Sequence, residues 1–268
     1  MNDLFAALLL GIIEGITEFL PISSTGHLLI AERWLGARSD LFNIAIQAGA
    51  ILAVVLIYRQ RLWQLLTGFR DPENRDYLLK LAASFAVSAG LGLLVKGLGI
   101  GLPETLGPIA WALIIGGLLM LVAEQLAARR AALHGERRRI TWPVAVLVGV
   151  AQVVAGVFPG TSRSAAAIFA ALLCGTGNRI AATEFAFLVG IPTMFAATAY
   201  QLLQTLRDGA AVSENWTALA ISFMAAAVTA FVVVKWLLAF IQAHRFTLFS
   251  VYRIVLGAAV LLLLPGTA

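Results

Sequence analysis

Long apolar runs follow one another along almost the whole chain, separated by short polar segments. Residues 41–58, 78–97, 108–127, 183–204, 216–236 and 248–264 each have the length and apolar character to cross a bilayer as a helix, 41–58 only just. Two further regions read differently. The run 4–20 stops at Pro21, and 24–36 is too short to cross; likewise 142–158 stops at Pro159-Gly160 and is followed by 162–175. Half-length apolar helices on either side of a polar turn predict re-entrant hairpins that dip to mid-membrane. Periodicity alone fits two Pro-kinked spanning helices equally well.

Positive charge favours the hairpins. Arg59, Arg61, Arg70, Arg75 and Lys80 form one basic stretch, and Arg129, Arg130, Arg137, Arg138 and Arg139 another. Two spans separate them, so both fall on one side, by rule the cytoplasmic side. The connection 98–107 carries Glu104 and no base. With 4–36 and 142–175 as hairpins, the chain starts outside and Arg179 stays inside. The loop holding Asp208 and Glu214 then lies outside, while Lys235, His244 and Arg245 return inside; only Arg33 and Arg38 are misplaced.

Composition agrees with a membrane protein. Apolar residues make up 60% and charged residues 12% of 268, against about half and about a quarter in soluble domains, and the mean hydropathy is +0.91. A soluble enzyme with a lipid-anchoring tail is excluded, because the apolar segments run from end to end. The net charge of +5 and pI near 9.9 mark cytoplasmic loops, and no nucleic-acid partner is expected. The single cysteine, Cys174, excludes a disulfide framework and reads as a small apolar packing residue; no Cys/His spacing resembles a zinc site. The start, Met-Asn-Asp, lacks a basic n-region and the first apolar stretch carries Glu14 and Glu18, so that segment is expected to be retained.

A weak internal repeat follows the same plan. Residues 11–24 align without gaps against 149–162, so that Gly11, Pro21 and Ser24 meet Gly149, Pro159 and Ser162, and Glu14 falls opposite Gln152. The expectation is a single integral membrane domain over 1–268 built on inverted repeats of about 1–77 and 140–204, with a site at the repeat interface near the midplane.

The costliest polar residues cluster on the two turns. Glu14 and Glu18 share a helix face one turn apart; in lipid, one holds a proton or a divalent cation bridges them. Next comes Pro21-Ile-Ser23-Ser24-Thr25-Gly26-His27. Pro21 stops one helix, a hydroxyl caps the next, and the free N–H groups at that N-terminus favour phosphate. Gly26 permits close backbone approach, and His27 has the pKa for proton transfer or nucleophilic attack. The second turn offers Gly160, Thr161, Ser162, Arg163 and Ser164. A guanidinium in an apolar stretch calls for an anion, either a phosphate or an internal partner at Glu14 or Glu18; one arrangement can serve both. Asn43 and Gln47, four apart, could line the pocket or bond between helices. Glu184 is expected to cap a helix start, Lys235 and Arg253 to snorkel, and His134 and His244 to sit in loops. The residues alone indicate a membrane enzyme or transporter for a phosphorylated lipid, and lack any nucleotide-binding glycine pattern.

The stretch from Glu14 through Glu18, Pro21 and Ser24 to His27 resembles the first signature of the undecaprenyl-diphosphate phosphatases, the bacitracin-resistance family. Pro159-Gly-Thr-Ser-Arg-Ser164 resembles the second, and Glu184-Phe-Ala-Phe-Leu188 with Pro192 the helix that follows. The likeness runs through nearly the whole chain. It departs where Ala165 and Ala167 replace a glycine and a threonine usual in the family, removing one hydroxyl. The resemblance implies an all-α polytopic membrane protein with six transmembrane helices and two re-entrant hairpins. It also implies hydrolysis of undecaprenyl diphosphate to the monophosphate, recycling the lipid carrier of cell-wall synthesis, in a bacterial inner membrane with the site facing the periplasm.

On that footing Glu14, Glu18, Ser24, His27 and Arg163 are the catalytic candidates, and Ser23, Thr25, Gly26, Gln47, Gly160, Thr161, Ser162 and Ser164 the substrate-binding ones. Glu14 and Glu18 are the candidate ligands of a divalent cation, Mg2+ or Ca2+. The nucleophile stays open between Ser24, His27 and water. A polyprenyl diphosphate and membrane lipid are the expected partners, with a homodimer left open. The alternative is a flippase for the lipid phosphate.

Overall fold

A computed structural model describes residues 3–99, 105–209 and 214–263. Glu104 and residue 264, both used in the topology argument, lie outside the described residues. The described chain is helical: α1 (Asp3–Thr17), α2 (Ser24–Leu35), α3 (Asp40–Ile57), α4 (Arg59–Thr67), α5 (Pro72–Gly97), α6 (Leu106–His134), α7 (Trp142–Val157), α8 (Arg163–Ala171), α9 (Arg179–Arg207), α10 (Trp216–Ala243) and α11 (Thr247–Leu263). A π-helical turn, Leu172–Thr176, follows α8.

Side chains set many of these starts. Ser39 accepts from the Phe42 N–H to open α3, Asp71 with Pro72 opens α5, and Asn178 and Asn215 cap α9 and α10. Five helices (α3, α5, α6, α9 and α10) are long and apolar enough to cross a membrane. The sixth expected span, 248–264, forms the 17-residue α11. One element was not foreseen: α4 occupies the first basic stretch, where Arg59 and Arg61 interrupt the apolar run. His134 ends α6 rather than sitting in a loop, whereas His244 lies in the connection after α10, its backbone extended. Cys174 is exposed, not packed.

The outer surface is apolar, as lipid contact demands. Leu93, Leu119, Val228, Val232 and Val255 are all exposed, and so are all six tryptophans: Trp34, Trp63, Trp111, Trp142, Trp216 and Trp236. Lys235 is exposed with its ammonium over the Phe231 ring. Arg38, misplaced by charge, is neutralised by Asp3 at 2.7 Å.

Because lipid is as apolar as leucine, helices here must associate through close packing. α1 and α3 lie against α10, α5 lies against α7 and α9, and α6 lies against α11. Glycines bring the backbones together. A Cβ on Gly11 would stand 2.2 Å from the Ser222 carbonyl oxygen, and one on Gly15 2.6 Å from that of Ala226. Gly149 against Ser84 and Gly257 against Ala110 repeat this contact at 2.6 Å on the other helix pairs. Gly11→Ala should therefore destabilise the protein by about 1–3 kcal/mol through overpacking. Gly90→Ala, where nothing lies within 4 Å of the new Cβ, should leave it unchanged. Thermal unfolding of both variants in detergent checks this.

Candidate active site

The two polar turns meet at the centre of the bundle. Each begins its short helix with a serine N-cap of positive φ, Ser23 at 76° and Ser162 at 72°, the only non-glycine residues of that kind among those described. Such geometry costs on the order of 1–3 kcal/mol and persists only where its surroundings enforce it. Each cap hydroxyl accepts the N–H three residues on, Ser23 from Gly26 at 3.4 Å and Ser162 from Ala165 at 3.2 Å. The caps thus pair Ser23 with Ser162, one residue away from the ungapped register that set Ser24 opposite Ser162. Helix geometry leaves the N–H groups of Ser24, Thr25, Arg163 and Ser164 without intrahelical acceptors.

Glu18 joins the turns. One carboxylate oxygen accepts from the Ser24 hydroxyl, and the other from Arg163 Nη2 at 2.9 Å. Arg163 Nη2 also donates to Gln47 Oε1 at 2.6 Å, which brings Gln47 together with the candidate residues of the two turns. Asn43, one turn earlier on α3, lies instead against Glu32. Glu18 is 7% exposed and Glu14 fully buried, so the ion pair sits where charge interactions are strong. Neither oxygen of Glu14 meets a hydrogen-bond donor, while Glu18 and Arg163 are near enough to act on its charge.

The remaining predicted residues take more structural places. Ser162 and Ser164 share a hydroxyl hydrogen bond at 3.0 Å, and Ser164 donates to the Leu20 carbonyl at 3.1 Å, tying the second turn to the end of α1. Gly26 is buried with its N–H committed to the cap, and the close approach it permits is to Ile109 of α6. Thr25 is exposed. His27 has both ring nitrogens engaged, Nδ1 with the Ser23 carbonyl and Nε2 with the Tyr252 hydroxyl, each at 2.7 Å, so neither nitrogen serves Ser24. Glu184 does not cap: Asn178 does, and Glu184 accepts from Arg61 at 3.3 Å and from the Tyr77 hydroxyl at 3.4 Å.

Two residues escaped the sequence reading. Gln152 lines a cavity of about 30 Å³ with Glu18, Arg163 and Ser164, and its Oε1 has no donor. That volume suits about one water. Its signal was its place opposite Glu14 in the repeat. Arg253, expected to snorkel, is instead 0% exposed. Nη1 donates to Thr161 O at 2.9 Å and Pro21 O at 3.4 Å. Nη2 donates to Gly160 O at 2.9 Å and Ala112 O at 3.1 Å, and Nε to Leu113 O at 3.4 Å. Its place near a membrane end hid it, since arginines there usually reach for water.

Carboxylate oxygens suit a hard divalent cation. Glu14, fully buried, has neither oxygen hydrogen-bonded, whereas Glu18 is already held by Ser24 and Arg163. Among the described residues no group of three or more His, Cys, Asp or Glu gathers. Two carboxylates are compatible with a cation of the magnesium type, which takes water and phosphate oxygens as its other ligands.

The chain is similar throughout its length to curated bacterial proteins. It is 62% identical over 268 residues to an undecaprenyl-diphosphatase of Xanthomonas oryzae pv. oryzae, covering 100% of both chains. It is 65% identical over 259 residues to one of Rhizobium etli, covering 97% of this chain and 96% of the relative. The bacitracin resistance protein BacA family matches residues 7–259, a span that takes in both turns and Arg253. The chain belongs to the bacitracin resistance protein BacA family.

Proposed function

We propose that this protein hydrolyses undecaprenyl diphosphate to undecaprenyl phosphate and inorganic phosphate, recycling the lipid carrier for cell-wall synthesis and conferring bacitracin resistance. The full-length relatives named undecaprenyl-diphosphatase support the reaction. The observation that carries the chemistry is Glu18 gripping the Ser24 hydroxyl and the Arg163 guanidinium at once. A hydroxyl bonded to a carboxylate is an activated nucleophile, and an arginine beside it is the fork that phosphate requires.

The diphosphate approaches from the side where Thr25, His27 and Tyr252 are accessible. Arg163 exchanges part of its hold on Glu18 for the phosphate oxygens, with Gln47 keeping its fork in place. Ser24 Oγ attacks the terminal phosphorus as its proton passes to Glu18; the Oγ–P bond forms and the anhydride P–O bond breaks. Undecaprenyl phosphate leaves without needing a proton, its charge met by Arg163 and the first-turn N–H groups. Water then attacks the phosphoserine, Glu18 returns the proton to Ser24 Oγ, and inorganic phosphate departs. A divalent cation held at Glu14 and Glu18 would supply further neutralisation of phosphate charge. His27, fixed between Ser23 and Tyr252, shapes the approach.

The reading includes six spans and two re-entrant hairpins, α1–α2 and α7–α8, arranged as an inverted repeat, with the site open to the periplasmic side. Three observations support it: the twin serine caps, the exchanged packing of α5 on α7 and α10 on α1, and the tryptophans. On this topology Trp34, Trp111 and Trp216 fall near the outer interface and Trp63, Trp142 and Trp236 near the inner one, as aromatic belts do. The transport alternative draws on a second cavity, of about 650 Å³, lined by Arg61, Tyr77, Arg139 and Glu184 at the far end of α7. Lipid phosphate crossing vesicles without phosphate release would favour it.

Phosphate release by the purified protein in detergent tests the enzyme. Arg163→Ala should cut kcat by about 1,000-fold. Ser24→Ala should fall comparably, and rapidly quenched mixtures of the wild type should carry phosphate on Ser24 by mass spectrometry. Near-normal turnover by Ser24→Ala would move the nucleophile to His27 or water. For the cation, a chelator should abolish activity and Mg2+ restore it. Glu14→Gln should raise the half-saturating Mg2+ concentration by about tenfold or more, measured by titration.

A further inference from the structure

A buried guanidinium normally faces a carboxylate or phosphate. Arg253 faces neither: its five hydrogen-bonded oxygens are all backbone carbonyls, two from the second turn, one from the first and two from α6. Room for it is built into the neighbouring helix. A Cβ on Gly116 would stand 2.1 Å from Arg253 Nη2, and one on Gly117 would meet its Cβ at 3.4 Å. The pair of glycines in α6 thus forms the slot in which this side chain lies.

The carbonyls it holds are those of a strained segment. Gly160 has φ +95° and Ser162 +72°, and Arg253 grips the oxygens of Gly160 and of Thr161, between them. In a trans peptide the C=O and the following N–H point in opposite directions. Anchoring the Thr161 oxygen on Arg253 therefore turns the Ser162 N–H away from it, beside the start of α8 and Arg163. The other two gripped turn peptides have their N–H groups committed locally, Thr161 to Phe158 O at 3.1 Å and Ile22 to Leu20 O at 2.7 Å. Ser162 is the donor whose direction this grip leaves for a substrate.

We propose that Arg253 is a positioning residue for phosphoryl transfer: from behind both turns, it holds the second in its strained form, aiming the Ser162 N–H and Arg163 at the phosphate and fixing the spacing to the first turn. The inference rests on the hydrolase reading. Donors that meet charge developing in the transition state affect turnover more than ground-state substrate binding. Misplacement by about 1 Å is enough to cost about 100-fold.

Two variants test it by different routes. Arg253→Met removes the grip. Gly116→Ala keeps the charge but pushes the guanidinium out of its slot. Both are compared with the wild type and with Gly92→Ala, whose added Cβ meets nothing within 4 Å. Undecaprenyl diphosphate hydrolysis is followed at saturating and limiting substrate, after size exclusion and thermal unfolding show which proteins are folded. The expected result is a fall in kcat of about 10- to 100-fold in each variant with KM changed by less than about threefold. A folded variant of either kind with wild-type kcat overturns the proposal, as does a loss seen wholly in KM. Loss of the folded species in both variants also overturns it, making Arg253 a folding residue. A wild type that releases no phosphate overturns the hydrolase reading instead, and leaves the kcat comparison without an activity to position.

Discussion

A charge taken into the middle of a membrane must take its partners with it, and the interior of this protein is arranged around that requirement. Glu18 and Arg163 come from segments 145 residues apart in sequence and neutralise each other where neither could stay alone. Their pairing, with the Ser164–Leu20 bond and the Arg253 contacts, ties the two turns together. Nothing in helix propensity or apolar pattern would otherwise choose that juxtaposition. On the proposed function the same pair would receive an anion, because a phosphate can replace carboxylate on arginine at little change in local charge. A site that must stay folded when empty and open to a charged headgroup when filled needs such an internal surrogate.

The helices supply the rigidity that this exchange demands. Close backbone contacts through Gly11 and Gly15 against α10, and through Gly149 against α5, leave little freedom for the hairpins to slide. The strain at Ser23 and Ser162 is tolerated because cap bonds, the Ser164–Leu20 bond and the Arg253 grip enforce it together.

Much of this was legible in the sequence because it is local. Apolar run lengths gave the helices, and Pro21 and Pro159-Gly160 gave the turns. The improbability of Glu14, Glu18 and Arg163 in apolar surroundings singled out residues that the structure brings together as the candidate site. What escaped depends on distance. Arg253 looks like an ordinary arginine near a helix end until α6 is seen to offer it a glycine slot and two carbonyls. Glu184 looks like a cap until Arg61 and Tyr77 arrive from other helices. His27 looked free for catalysis because Tyr252 is 225 residues away. α4 was hidden because its apolar residues are interrupted by charges and fill only one face.

The two arginines divide the labour that a single one could not perform. Arg163 is partly accessible, its side chain 27% exposed, and holds a carboxylate that, on the proposed mechanism, it trades for substrate. Arg253 is sealed and holds carbonyls, which carry no net charge and cannot be displaced by phosphate without unmaking the turn. A guanidinium bound to neutral groups keeps its full positive charge, and in a low-dielectric interior that charge extends beyond its immediate contacts. On the proposed function it would thereby add to the potential drawing an anionic headgroup toward the turns while remaining out of reach of it. An ion-paired arginine in that place would cancel the field it was there to supply, which gives a physical reason for the absence of a carboxylate among its hydrogen-bond partners.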